Sequence, residues 1–165
     1  MVNVAAARDV LFGRMGKVMS EEVLHGLYPD AIVPKVYLGF PKDEPPFYVA
    51  VDEVADNIAT TGAVSMGHAE FTFDLHVWML ANHKDLKTAS NTLLAYIEAA
   101  AASILADQQL DYTVDFATPS VNEIGTAADS SKRYVAAAYM TVSCKVSSVC
   151  PAEIKEAIQD AGRNA

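Results

Sequence analysis

A chain of 165 residues, 52% hydrophobic and 20% charged, is sized for one domain with a real core, and with no low-complexity tract it is not a disordered polymer. No apolar run reaches the ~18 residues of a membrane span, and Arg8, Asp9, Arg14 and Lys17 interrupt the opening segment where a signal peptide would be unbroken. The net charge of −9 opposes close approach to a phosphate backbone and excludes direct gripping of nucleic acid.

The opening segment reads as helix. Val10, Leu11, Met15, Val18 and Met19 recur at helical spacing, and Ser20-Glu21-Glu22 caps a further turn or two that Gly26 and Pro29 close. Ile32 to Phe40 alternates, with Val36, Leu38 and Phe40 on one face, and Pro34 sets it at a sheet edge or strand end. Pro41, Pro45 and Pro46 mark a loop. A second strand runs from Phe47 to Val54, and the small, polar residues Asp56 to Gly67 read as a long connection. The third strand is the clearest signal in the chain: Phe71, Phe73, Leu75, Val77 and Met79 share one face, while Thr72, Asp74 and His76, followed by Trp78 and Leu80, share the other.

Asn82 to Asp85 supplies caps for a long helix reaching about Asp107. Its apolar stripe is read as Leu86, Leu93, Leu94, Ile97, Ile104 and Leu105, and its alanines let a sheet approach closely. Tyr112 to Ile124 and Arg133 to Val146 read as two strands joined by the polar loop Gly125 to Lys132. The last strand sets Tyr134, Ala136, Ala138, Met140, Val142 and Cys144 on one face. Pro151 opens a short C-terminal helix within residues 151–162. This order gives a single α+β domain over 1–165. Hairpin-length loops imply a mainly antiparallel sheet of about five strands, with the N-terminal and long helices packed on it.

The residues that carry chemistry do not assemble by spacing. His25, His68, His76 and His83 are dispersed; His76 and Asp74 share a strand face but lack a third ligand, so no metal or other cofactor is expected. Gly16-Lys17 lacks the flanking residues of a phosphate loop, since Leu11 and Val18 stand where Gly and Ser or Thr belong. Ser65 lacks the glycine upstream that a nucleophile elbow needs. Asp43-Glu44 and Asp52-Glu53 are adjacent and point apart in extended chain, which leaves no carboxylate dyad. Cys144 and Cys150, six apart in strand, span about 20 Å, which favours reduced thiols in a cytosolic compartment. Cys144 reads as a small core residue. No catalytic residue is expected, and an enzyme is not. Trp78 with Leu80 could anchor a subunit contact, or lie beneath a second packing layer.

Charge is distributed unevenly. From Thr88 to Ser131 there are six acids (Glu98, Asp107, Asp111, Asp115, Glu123 and Asp129) and no base. Of these, Asp107, Asp111, Asp115, Glu123 and Asp129 are candidates for an acidic face turned to solvent or to a lumen.

The order of elements, from the opening helix through the Ile32-Val33-Pro34 to Gly39-Phe40-Pro41 strand and turn, the Phe71 to Asn82 strand, the helix from Asp85 and the closing strand pair, resembles the tail terminator (tail-completion, or minor tail) proteins of long-tailed bacteriophages and prophages. The resemblance implies an α+β subunit of a homo-oligomeric ring, expected to be a hexamer. Such a ring caps the tail tube and joins it to the head, with tail-tube and head-connector proteins as partners. It implies assembly in the host cytoplasm, a final place in the virion tail, no catalytic residues, and no membrane or direct DNA binding. Acids facing the lumen would keep passing DNA from adhering. The alternatives are a head-tail connector or neck protein of the same particle, and a small-molecule-binding or enzymatic α+β domain with a pocket between sheet and helix near His76 and Trp78.

Overall fold

The computed structural model describes residues 3–65 and 68–149 together with Glu156 and Gln159. Its elements run α1 (Val4–Val18), α2 (Glu21–Leu27), β1 (Lys35–Leu38), β2 (Phe47–Val51), β3 (Asp56–Ser65), β4 (His68–His83), α3 (Leu86–Ala106), β5 (Phe116–Ala128) and β6 (Tyr134–Val149). The chain is an α+β protein, with helices laid on a six-stranded, mostly antiparallel sheet of order β1-β2-β4-β6-β5.

β4 is the spine, because alternation over its whole length lets it serve two layers. It pairs with β6 from His68↔Val149 to His83↔Tyr134. Its other edge is shared, with β2 taking Val77 to Ala81 and β3 taking His68 to Asp74. β2 and β3 are therefore two parts of one edge, interrupted where the chain bulges through Asp52 to Ala55. The Asp52 N–H still donates to the His76 carbonyl at 3.0 Å, which keeps the break pinned to β4.

One face of the sheet carries the core. Phe73, Leu75, Val77 and Met79 of β4 and Ala136, Ala138, Met140 and Val142 of β6 are buried with Leu93, Tyr96, Ala100 and Ile104 of α3. α1 joins this layer through Ala7, Leu11 and Met15, and α2 through Leu24. Both long helices start on side-chain caps: Asn3 accepts from the Ala6 N–H, and Asp85 from the Thr88 N–H. The Tyr96 hydroxyl donates to the Ile32 carbonyl, tying α3 to the segment that enters β1. By length and composition α3 could cross a membrane; here its apolar side lies on the sheet.

Several expectations are corrected. Asp56 to Ser65 is a strand and not a connection; its residues 56–60 are all exposed, so no buried face imposed the apolar alternation that announces a strand. β1 covers only Lys35–Leu38, with Leu38 and Phe40 exposed, and it runs parallel to β2 despite the short loop between them. Gly39 makes this reversal possible. It sits at φ 77°, donates to the Val51 carbonyl at 2.7 Å, and packs so close to Glu53 that a Cβ would collide. β2 ends at Val51, and Val54 is exposed. Asn82 and His83 still belong to β4, so the helix starts at Leu86. Of the expected helical stripe, Leu93 and Ile104 are buried and Ile97 half-buried, whereas Leu86, Leu94 and Leu105 face outward; Ala89, Ala95, Ala99 and Ala100 take the inner positions. β5 starts four residues later than Tyr112 and runs through Gly125 to Ala128, since Leu110, Asp111 and Tyr112 adopt positive φ in a turn. The turn is confined to Asp129–Arg133. The expected C-terminal helix over 151–162 lies outside the described residues, apart from Glu156 and Gln159.

Candidate functional site

The face of the sheet turned away from the helices carries the polar and aromatic side chains. Strand register sets them in rows. Tyr37, Ala50, Trp78, Tyr139 and Glu123 are successive partners across β1, β2, β4, β6 and β5. The adjacent row is Lys35, Tyr48, Leu80, Ala137 and Gly125. Side chains two residues apart on a strand share a face, so both rows stand on this open side.

Trp78 is half-buried rather than free. Phe40 packs on it from the β1–β2 loop at 5.4 Å between ring centres, and Tyr139 at 4.3 Å. Its Nε1 is buried without a hydrogen-bond partner; the indole stands near enough to stabilise the charged form of Asp52, at a geometry short of a hydrogen bond. Beside Trp78 lies an open groove of about 660 Å³. Its floor and far wall are small residues, among them Gly125, Ala127, Val135 and Ala137, with Glu123 at the rim. The groove is on the opposite side of the sheet from the helices, and not between sheet and helix as the small-molecule alternative requires.

Next to the groove runs a chain of hydrogen bonds that spacing alone did not reveal. His76 Nε2 lies 2.6 Å from Asp56 Oδ1, and its Nδ1 lies 3.3 Å from the Thr141 hydroxyl, which accepts from Asn122 Nδ2 at 2.5 Å. A carboxylate only accepts, so Nε2 carries a proton toward Asp56, and the direction of the Nδ1–Thr141 bond follows the tautomer. The imidazole also stacks on Tyr139 at 4.8 Å. Asp74, which shares a strand face with His76, accepts from Asn57 at 2.8 Å. The bulge at Asp52 to Ala55 brings Asp56 over the ring.

The order carboxylate, imidazole, hydroxyl invites comparison with a nucleophilic triad. His76 and Thr141 are only 5% and 6% exposed, and neither lines the groove. The arrangement joins β3, β4, β6 and the bulge of β5 more readily than it presents a nucleophile. Among the described residues no three His, Cys, Asp or Glu side chains converge on a metal position.

Carboxylates concentrate around this network. Burial raises the Asp52 carboxyl above its usual range; His76 opposes that rise and Asp56 adds to it. Tyr139 is pushed up to about 12, by burial first and then by Asp56, Asp52, Asp74 and Glu123. Cys144, on the helix-covered face, is likewise raised to about 12 by burial and by Asp74, which makes its thiol a poor nucleophile.

The five acids expected to form one face are divided by the fold. Asp107 and Asp111 meet Arg14 of α1 at 2.7 and 3.3 Å, so a base distant in sequence compensates the base-free stretch. Asp115 accepts from the Ser147 N–H at 2.6 Å at one end of β5. Asp129 closes the turn at the other end, accepting from Ser131 and from the Arg133 N–H at 2.9 Å. About 14 strand residues separate these two, on the order of 40 Å. Only Glu123 stands at the groove. Leu80 lies in the Gly125 row. Asp56, Asn122, Gly125, Tyr139 and Thr141 are not singled out by the sequence; the one signal it offers is Gly125, and composition places that residue at the start of a polar loop.

No protein-family model matches the chain, and no curated protein matches it. Among solved structures it is similar to a chain of the virion of a native gene transfer agent particle. The identity is 13%, the match covers 86% of this chain and 99% of that one, and the TM-score is 0.38. A likeness at that score carries no argument.

Proposed function

We propose that this chain is a structural subunit of a phage-type particle, a tail terminator that assembles head to tail into a ring, caps the tail tube and joins it to the head. The reading continues the resemblance in element order. The observation that carries it is the pair of open edges at opposite ends of the strand order: among the described residues β1 pairs only with β2 and β5 only with β6, while β3, beside β2 on β4, leaves a third free edge. Two different free surfaces on opposite sides of one subunit make heterologous contacts, which close into a ring when the rotation allows. Both edges also carry features that limit random pairing: β1 is four residues long and starts with Lys35, and β5 holds Pro119 and a bulge between Val121 and Glu123. β5 is 13 residues long with Ile124 58% exposed, and Leu38 and Phe40 are exposed at the end of β1.

On this reading the role is structural and not catalytic, the partners are further copies, tail-tube and head-connector proteins, and the acidic surface does not bind DNA directly. The protein would assemble in the host cytoplasm and remain in the virion tail. Native mass spectrometry and negative-stain microscopy, over a range of protein and salt concentrations and with purified tail tubes, test it. A closed ring, expected to be a hexamer, is the predicted outcome, with labelled duplex DNA unbound. A monomer under every condition, with no attachment to tubes, would overturn it.

A further inference from the structure

The edge strands β1 and β5 run in opposite directions. β2 and β6 are antiparallel to β4, β1 is parallel to β2, and β5 is antiparallel to β6, so β5 ascends with β4 while β1 descends. Rotation about an axis near the strand direction preserves that sense. It would bring β5 of one copy beside β1 of the next as an antiparallel pair, the geometry that needs no crossover.

Gly125 gives this edge a receptor. A strand glycine costs stability and leaves no side chain to pack, so it calls for a reason. A bulge between Val121 and Glu123 lies just before it, but the other two usual reasons do not apply. Its φ is not positive, and a Cβ built on it meets nothing within 4 Å. Its effect is to open the floor of the groove, as a site of close approach by another chain does.

From this we infer that the groove beside Gly125 receives the β1 edge of a second copy, added antiparallel to β5, with Tyr37 over the glycine and Lys35 beside Glu123. The inference rests on the head-to-tail reading above and names its interface. Lys35 and Tyr37 stand on the same face of the sheet as the groove. The register that continues the rows sets Lys35 opposite Gly125 and Tyr37 opposite Glu123, so each is also diagonal to the other's partner, within reach of long and aromatic side chains. An aromatic ring over a strand glycine fills the space the missing side chain leaves. Charge points the same way. Copies at −9 repel each other overall, yet this contact sets a base against an acid, and neither Lys35 nor Glu123 has an ion-pair partner among the described residues. Exposed pairs of this kind set orientation more than affinity. The groove and the β1 row supply the apolar contact.

Two experiments on the full chain test this, both with Cys150→Ser. In the first, protein carrying Lys35→Cys is mixed with protein carrying Gly125→Cys and treated with a short bismaleimide; a mixture with Asn91→Cys, on the exposed side of α3, is the control. A cross-linked heterodimer from the first mixture and none from the control is expected. In the second, Gly125→Phe fills the groove. Its melting temperature should match the wild type, because the site is open in the monomer, while the concentration needed for assembly should rise at least about tenfold, as loss of a central contact does. Rings that form without the Lys35–Gly125 cross-link, or that tolerate Gly125→Phe, would overturn this interface and leave the ring intact. Absence of any wild-type ring, even on tail tubes, would remove both.

Discussion

The two faces of the sheet solve the same problem by different means. The helix-covered face buries Phe73, Leu75, Val77 and Met79 against α3, where Thr92 is a buried polar residue among alanines and leucines, so its stability comes from apolar area and close packing. The open face has no covering layer, yet His76 and Thr141 on it are almost fully buried. They are covered by their own neighbours, the Asp52 to Ala55 bulge and the rings of Trp78 and Tyr139, and are held by directional bonds. A covered face tolerates rearrangement provided volume is kept, whereas a face built on single hydrogen bonds does not. Stability therefore belongs to one side, and the capacity for contact to the other.

The largest effect should separate the two directly. Leu75→Ala removes a side chain 1% exposed in the packed layer and should cost about 2–5 kcal/mol by urea denaturation. Leu94→Ala, on the outer side of the same layer's helix, should change stability by less than about 0.5 kcal/mol. Equal losses at both positions would mean that another body covers the outer side of α3 in solution.

Next is the hydrogen-bonded chain. His76→Phe keeps a ring to stack on Tyr139 but takes the imidazole bond from Asp56 and leaves the Thr141 hydroxyl with Asn122 as its remaining partner, and should cost about 1–3 kcal/mol. Thr141→Val should cost a similar amount alone and less when added to His76→Phe, where only its bond to Asn122 is left to lose. Full additivity in a double-mutant cycle would show that the imidazole and the hydroxyl act independently.

This contrast also explains what the sequence disclosed. Alternation made β4 and β6 legible because one face of each meets the helices and the other does not. β3 was illegible for the same reason: Asp56 to Thr60 are exposed on both faces, and Asn57 at φ 50° departs from regular strand. Within α3 the leucines drew attention, but the sheet lies so close that alanines occupy the inner positions and leucines are turned out. Of the candidate site, Trp78 and Leu80 were visible from their place on the polar side of β4. Asp56, Thr141 and Asn122 were not, because their meeting depends on a bulge and on register between strands more than 60 residues apart (|i−j| of 65 for His76 and Thr141).

On the helical side α1 and α3 are linked by the polar contacts of Arg14, and the effect there should be smaller. Arg14 of α1 donates to the Ser103 and Asp107 carbonyls at the end of α3 and to the carboxylates of Asp107 and Asp111. It supplies the positive charge that a helix C-terminus favours. Arg14→Ala should cost about 1–2 kcal/mol, and Arg14→Lys should recover only part, since an ammonium cannot make the same fork. Complete rescue by lysine would mean that charge, and not geometry, is what α3 requires.

The smallest effect compares the two faces by titration. Cys144 on the covered face and Tyr139 on the open one are both raised to about 12, from ordinary values of 9.0 and 10.0. Each is neutral when protonated, and folding holds the proton. As pH rises past the ordinary values the unfolded chain loses these protons while the folded chain keeps them. The unfolded state then binds fewer protons, and stability falls with rising pH until the folded groups also ionise near 12. Tyr28, Tyr48 and Tyr96 are also raised and add to the same slope, so the readout is the difference between variants. Thermal melts from pH 8 to 11 should show a shallower alkaline decline for Tyr139→Phe, beginning near pH 10 where an unfolded tyrosine ionises. Cys144→Ala should relieve the decline about a unit earlier, where an unfolded thiol does. Salt tells the faces apart. Burial comes first at both groups, but four carboxylates, Asp56, Asp52, Asp74 and Glu123, add to the Tyr139 shift through partly exposed charge that salt screens, against Asp74 alone at Cys144. In high salt the Tyr139→Phe difference should shrink and the Cys144→Ala difference should persist. A Tyr139→Phe difference indifferent to salt would mean that burial alone holds the proton, and that the carboxylates around the groove do not act on the ring together.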